Sequence, residues 1–288
     1  MDRSHDTARR WFAEDLRVAA PILRNEAVVE AFARVPRELF CGLGPWRVHP
    51  RRRLGAPYTT PTADPTALYH DVLVAIDEER DLNNGQPSLW AYIFDQLDLA
   101  PGQSVLQIGA GTGYYTAILT EIAGPKSRVE AIELDDYLAR RAQENLRPWP
   151  QANVTAGNGV DCDTTPAADI IIAFAGTTHP AAAWINRLSP GGRMMIPLTT
   201  ADGWGFLLRL EKTDAGFEAA SLGACGFFHC DGARRSAEEM RLQEALTSLN
   251  GKEIPIRALH LGKPTADAQE VWFEGDDYWL SNEPLVIR

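Results

Sequence analysis

Ser104-Val105-Leu106-Gln107-Ile108-Gly109-Ala110-Gly111-Thr112-Gly113-Tyr114-Tyr115 is the stretch whose reading decides the fold. A short apolar run ends in alternating glycines, and a helix-forming run, Tyr114–Ala123, follows directly. Glycine is needed where backbone must turn sharply and approach a ligand with no Cβ in between. Glu133 stands 20 residues after Gly113, at the end of the next extended run, Arg128–Asp135. A carboxylate at that strand end accepts hydrogen bonds from ribose hydroxyls in nucleoside-binding α/β folds.

The rhythm continues outward from there. Tyr137–Leu146 and Pro180–Leu188 have helical spacing; Asn153–Gly159, Ala168–Gly176 and Gly192–Leu198 read as strands, the second almost wholly apolar. Apolar strands alternating with helices of this length predict an α/β fold, a Rossmann-like, doubly wound, mostly parallel sheet covered on both faces. Upstream, residues 5–50 read as helical with a break at Pro36, residues 41–66 as loop, Tyr69–Glu79 as extended and Ser88–Leu99 as helix. Downstream, Gly205–Leu210, Phe217–Leu222 and Gly226–Cys230 read as strands, 236–248 as helix, and the tail as short strands. The expected organisation is an N-terminal helical segment with an acceptor loop (1–100), a cofactor-binding domain (101–232) and a β-rich C-terminal addition (233–288).

Composition narrows the classes. The chain has 288 residues, 28 Lys+Arg and 39 Asp+Glu, for a net charge of −11. Residues 1–53 carry 11 Lys+Arg against 7 Asp+Glu, so the remainder holds −15. A body that acidic repels phosphate backbones, which makes nucleic acid a poor partner, and Arg51-Arg52-Arg53 reads as a solvated loop. The longest apolar stretch, near Ala167–Ala175, is too short to span a bilayer, and the N-terminus lacks the apolar core of a secretory signal. Cys41, Cys162, Cys225 and Cys230 show neither paired spacing nor a His partner, so no metal and no disulfide framework is expected. A reduced, cytoplasmic protein is expected, with its oligomeric state left open.

Two cofactor classes use a strand–glycine loop–helix. The dinucleotide pattern GxGxxG would put its third glycine at Tyr114. Here the glycine is one place early, at Gly113, which argues against a nicotinamide cofactor and suits S-adenosylmethionine (SAM), with no pyrophosphate to cradle. Gly157-Asn158-Gly159 follows the third strand, where Asn158 has an amide to offer an adenine. Taken alone, that turn reads as a plain Asn-Gly turn.

Together these pieces resemble the protein-L-isoaspartate O-methyltransferases, class I SAM-dependent enzymes, over roughly residues 25–230. The resemblance rests on Val35–Phe40 (VPRELF), on Tyr69–Ser88, on Val105–Leu119 with its GTGY core, on Gly157–Gly159 and on Leu188–Leu198 (LSPGGRMMIPL). It implies that Gly109, Gly111 and Gly113 line SAM, Glu133 holds the ribose, and Asn158 with Gly159 meets the adenine. Ala110 and Tyr114 in the loop, Leu134 beside the acid and Ala175 after the fourth strand are assigned to the same site. The implied reaction is methylation of an isoaspartyl carboxylate in a protein or peptide.

One departure stands out. The family loop GQTISQP aligns without a gap to Gly85-Gln86-Pro87-Ser88-Leu89-Trp90-Ala91, so its Thr becomes Pro87 and its Ser becomes Leu89. Ser88 alone keeps a hydroxyl, one position early. Ser88 and Gln86 are the catalytic candidates of that loop. His179, after the fourth strand, is the third, because carboxyl ends of strands border the ligand crevice of such sheets; it reads equally as a helix-start residue. His229, His70 and Trp90 read as structural before functional. A carboxylate acceptor is ionised at neutral pH and needs no general base, so catalysis is mainly positioning. The competing expectations are a methyltransferase with another peptide or small-molecule O/N acceptor, and a non-catalytic SAM-binding adaptor.

Overall fold

In the computed structural model, which describes residues 3–20, 23–49, 56–162, 166–265, 268 and 270–285, the chain forms two compact units. The Arg51–Arg53 cluster lies outside the described residues. The first unit joins residues 1–103 to 110–156; the second joins 104–109 to 157–288. Each unit thus draws on two separate stretches of the chain.

The first unit starts with helices α1 (Arg3–Ala19) and α2 (Glu26–Arg34). Asn25 caps α2 by accepting the Ala27 N–H at 3.0 Å, Glu26 and Arg34 complement its dipole, and Pro36 stands just beyond its end. The expected break at Pro36 is therefore real. The segment expected to be loop holds two short strands, β1 (Arg47–His49) and β2 (Tyr58–Thr59). They pair antiparallel, and β1 also pairs with β3 (Leu73–Asp77), which pairs with β4 (Leu82–Asn83). Helix α3 (Pro87–Gln96) follows. Strand β5 (Ser104–Ile108) belongs to the second unit. The chain returns for α4 (Tyr114–Ala123), β6 (Arg128–Glu133), α5 (Asp136–Asn145) and β7 (Ala152–Ala156), with β6 and β7 parallel. An aromatic cluster ties this unit together: Phe32 of α2 meets Phe12 of α1 and both Tyr114 and Tyr115 of α4, at 6.2–6.4 Å between ring centroids.

In the second unit β5 pairs in parallel with β8 (Ala168–Ala173), and β8 with β9 (Leu188–Thr199), after helix α6 (Ala182–Arg187). Ile170, Ile171 and Ile172 are wholly buried, as expected for a strand covered on both faces. Beyond β9 the sheet turns antiparallel through β10 (Trp204–Thr213), β11 (Gly216–Gly226), β12 (Ala258–Leu261), β14 (Tyr278–Ser281) and β13 (Val271–Glu274). Gly226–Cys230 is not a third strand of that run. Only its first residue ends β11, and His229 makes an isolated bridge to Gly176. Helix α7 (Ser236–Ser248) sits where the sequence predicts it. Among the described residues no helix is long and apolar enough to cross a membrane.

Candidate functional site

In the first unit the glycine loop is held by the acid expected to serve it. Glu133, at the end of β6 and 9% exposed, accepts the N–H of Gly111 at 2.7 Å and that of Asp135 at 3.0 Å. These bonds do not exhaust the four lone-pair sites of the carboxylate, which keeps capacity for a hydroxyl donor. Burial pushes the Glu133 carboxyl above the usual glutamate range, and the N–H groups of Asp135, Gly111 and Ala110 oppose that push. Asp135 caps α5 by accepting the Leu138 N–H at 2.8 Å, and Leu134 between the two acids is exposed.

The glycines differ in purpose. At Gly111, φ is +55°, and an added Cβ would meet nothing nearer than Ile76 Cδ1 at 3.8 Å. The protein leaves that space free. At Gly113, φ is +93°, and an added Cβ would sit 3.0 Å from Leu146 Cδ1, so this glycine serves the packing of α4 against α5. Tyr114, assigned to the cofactor, turns away from that task. It is 2% exposed, with its ring 5.6 Å from Phe40 and 5.0 Å from Tyr115 and the Arg37 guanidinium 5.8 Å from its centroid. As first residue of α4 it faces α2, so only its backbone borders the loop. Ala110 is 7% exposed and accepts the Gly113 N–H at 2.9 Å, closing the turn.

The acceptor loop also differs from expectation. Ser88 is buried, and its hydroxyl donates to Asp71 Oδ2 at 2.7 Å while its N–H donates to Asp71 Oδ1 at 2.8 Å. Gln86 Nε2 donates to the same carboxylate at 3.1 Å and to Ser88 Oγ at 2.9 Å. Pro87 opens α3, so an unpaired N–H near that end needs an acceptor, and Asp71 supplies it from outside the helix. Ser88 is thus a capping partner, and its hydroxyl proton is already spent. Asp71 escaped the sequence reading, since no local pattern links it to a residue 17 positions on. Trp90 is core: it is 2% exposed, with its ring 5.4 Å from Tyr115 and 5.9 Å from Phe94.

In the second unit β5 ends at the loop's first glycine. Phe174 N–H donates to Ile108 O at 2.8 Å, and a Cβ on Gly109 (φ +89°) would lie 3.2 Å from Phe174 Cβ. The segment after β8, including half-buried Ala175, therefore starts beside Gly109. Gly159 allows close approach, since an added Cβ would collide with Ile108 Cγ2 at 2.3 Å, and its carbonyl accepts the Trp184 indole N–H at 2.8 Å. Asn158 Oδ1 accepts the Val160 N–H at 3.2 Å, a local turn that leaves it one further lone pair. His179 is 5% exposed, with Nδ1 3.1 Å from Glu238 Oε2 and 3.0 Å from Thr178 Oγ1. His229 and His70 are exposed.

Comparison with known proteins adds a family. The family model described as Protein-L-isoaspartate(D-aspartate) O-methyltransferase (PCMT) matches residues 58–231. A protein-L-isoaspartate O-methyltransferase of Ignicoccus hospitalis is 30% identical over 203 residues, covering 69% of this chain and 86% of its own. One of Aeropyrum pernix is 33% identical over 214 residues, 73% of each chain. A solved protein-L-isoaspartate O-methyltransferase superposes with a TM-score of 0.65 at 19% identity, over 96% of this chain and 88% of that one. A Plasmodium falciparum structure, described as a putative enzyme of the same name in complex with S-adenosyl-L-homocysteine, superposes at 0.60 and 16% identity over 77% of this chain. At such identities the superpositions speak for the fold.

Proposed function

The chain belongs to the protein-L-isoaspartate O-methyltransferase family, and from that premise we propose how its residues carry out SAM-dependent methyl transfer to an isoaspartyl carboxylate of a protein or peptide. The observation that carries the proposal is the Glu133–Gly111 pair: a buried carboxylate with acceptor capacity left, bonded to a glycine beside open space. Those residues fit a nucleoside. Glu133 takes the ribose hydroxyls and Gly111 gives backbone clearance. Bound SAM supplies an activated methyl group on a sulfonium. The protein's share is alignment of the acceptor with that methyl, since an ionised carboxylate needs no base.

The Glu133 assignment has a pH signature. A raised carboxyl takes up its proton at a higher pH than an ordinary glutamate as pH falls. The neutral form is a poorer acceptor for ribose, so SAM affinity should weaken between neutral pH and a mildly acidic pH at which an ordinary glutamate is still ionised. Glu133→Gln should lose about ten- to hundredfold in affinity at neutral pH and show no such slope. Titration calorimetry at the two pH values checks both. Equal affinity in the variant would remove Glu133 from the site.

The activity itself is tested with methyl-labelled SAM, an isoaspartyl peptide and its aspartyl twin. Label on the isoaspartyl peptide alone is expected. Label on neither peptide, with SAM bound in the same sample, would move the acceptor elsewhere.

A further inference from the structure

Within the first unit one apolar side chain faces the glycine loop from outside it. In the pairing of β3 with β4, Ala75 stands opposite Asn83 and Asp77 opposite Leu82, so Ile76 is an extra residue on its strand. Such a bulge bends the strand and re-aims the side chain at that position. Val74, two residues earlier, is wholly buried in a cluster with Cys41, Trp46 and Leu68. Ile76 is only half-buried. Its Cδ1 lies 3.8 Å from where a Cβ on Gly111 would stand, and among the described residues nothing is nearer.

The hairpin that carries Ile76 is fixed at both ends. At its base Arg37 Nη2 donates to Val72 O at 2.7 Å, Val74 N–H donates to Asn84 Oδ1 at 3.1 Å, and Asn84 N–H donates to Val74 O at 2.9 Å. Its tip, residues 78–81, is exposed. There Asp77 Oδ1 accepts the N–H groups of Glu79 at 3.1 Å and Arg80 at 3.2 Å, which closes the turn. Arg80 then ties the tip to α5. Its Nε donates to Asp77 Oδ2 at 2.7 Å, and its Nη1 donates to Asp135 Oδ2. Asp135 caps α5 and gives its own N–H to Glu133. A chain of bonds thus runs from the hairpin tip through Arg80, Asp135 and Glu133 to the Gly111 N–H. Every residue in it belongs to the first unit.

One guanidinium bridges two carboxylates here. The Arg80 side chain holds the Asp77 carboxyl below its usual range, and the Leu138 N–H with Arg80 does the same for Asp135. Both acids are therefore ionised at neutral pH, and the tie is an ion pair. It is partly exposed, so dissolved salt screens it.

We propose that Ile76 is a wall of the cofactor pocket, meeting the sugar end of the bound nucleoside opposite Gly111, and that Arg80 is the positioning residue that holds the hairpin to Asp135. The inference rests on the SAM-binding reading above and deepens it. Glu133 is bonded to Gly111, so a ribose held by Glu133 lies at the open side of that glycine. Ile76 is the first protein group across the space. A branched apolar side chain suits the C–H face of a sugar whose hydroxyls are turned to a carboxylate, since pockets of this kind combine apolar walls with a few placed polar groups.

Two probes separate wall from tie: S-adenosylhomocysteine, and adenosine, which keeps the sugar and base and carries no charge. Ile76→Ala should weaken both by about tenfold, by the same factor, because the amino-acid tail is not what Ile76 meets. Arg80→Met should weaken adenosine by about three- to fivefold at low salt. Raising salt from about 0.01 M to about 1 M should cost the wild-type protein that same factor and leave Arg80→Met flat. A double variant should be no weaker than Ile76→Ala alone, since Arg80 acts through the hairpin. Unchanged affinity in Ile76→Ala, additive losses in the double variant, or an Arg80→Met deficit that persists at high salt would overturn the proposal.

A direct measurement needs no variant. In protein labelled with carbon-13 at the isoleucine δ1 methyl groups, the Ile76 methyl should show a nuclear Overhauser contact to ribose protons of bound S-adenosylhomocysteine. No such contact in the saturated complex overturns the proposal and leaves the cofactor reading standing. A wild-type protein that binds neither S-adenosylhomocysteine nor adenosine would instead overturn the cofactor reading, and this inference with it.

Discussion

A Gly111→Val protein is expected to remain folded and to lose SAM affinity by about a hundredfold or more, about 3 kcal/mol. Two effects combine. Gly111 sits at φ +55°, a left-handed conformation that costs a residue with a Cβ about 1–2 kcal/mol. That strain is affordable against the roughly 5–15 kcal/mol of a typical fold. The added side chain finds only Ile76 Cδ1 at 3.8 Å, so the protein itself has room for it. The room is what a nucleoside would occupy, and filling it should block the ligand and disturb the Gly111 N–H bond to Glu133. Calorimetry gives the affinity, and a thermal melt separates it from unfolding. Normal affinity in a folded variant would show that the open side of Gly111 faces no ligand.

The largest stability loss is expected at Arg37. Its guanidinium is wholly buried, with Nη1 donating to Leu68 O at 2.8 Å and His70 O at 2.9 Å, and Nη2 to Val72 O at 2.7 Å and Asn84 Oδ1 at 3.0 Å. The cation also lies 6.0 Å from the Phe12 ring centroid. It is the clamp that sets residues 68–72, and so sets Asp71 where α3 begins. Arg37→Ala leaves buried acceptors without donors and opens a cavity, at a cost of about 3–5 kcal/mol. For a chain of this size that should lower the melting temperature by about ten degrees. Arg37→Lys should recover only part, because one ammonium cannot reproduce a planar fork. A loss below about 1 kcal/mol in Arg37→Ala, by denaturant unfolding, would mean that the carbonyls find other donors.

What the chain disclosed in advance was whatever depends on local chemistry. The almost wholly apolar β8 and the strand–glycine–helix at 104–123 were legible because periodicity and glycine placement report backbone directly. So was Glu133, since its spacing from the loop is itself a sequence quantity. What the sequence did not disclose shares one cause, contacts between residues far apart in the chain. Ser88 offers a hydroxyl in the right loop, yet only the fold reveals Asp71 beneath it. Tyr114 belongs to the glycine motif by position and to the aromatic core by orientation. His179 could be singled out, but Glu238 could not, as nothing local couples a histidine after β8 to a helix 59 residues later. The strand expected at 226–230 failed because the chain leaves β11 after Gly226 and makes one isolated bridge, from His229 to Gly176.

The central claim is that the methyl group goes to a carboxylate. The most direct measurement is the chemical fate of label transferred from methyl-labelled SAM to an isoaspartyl peptide. A carboxylate acceptor gives a methyl ester, so mild base should release the label as volatile methanol, with no label on the matched aspartyl peptide. Label that resists base, as an ether or a methylamine would, or label carried equally by both peptides, would contradict the assignment.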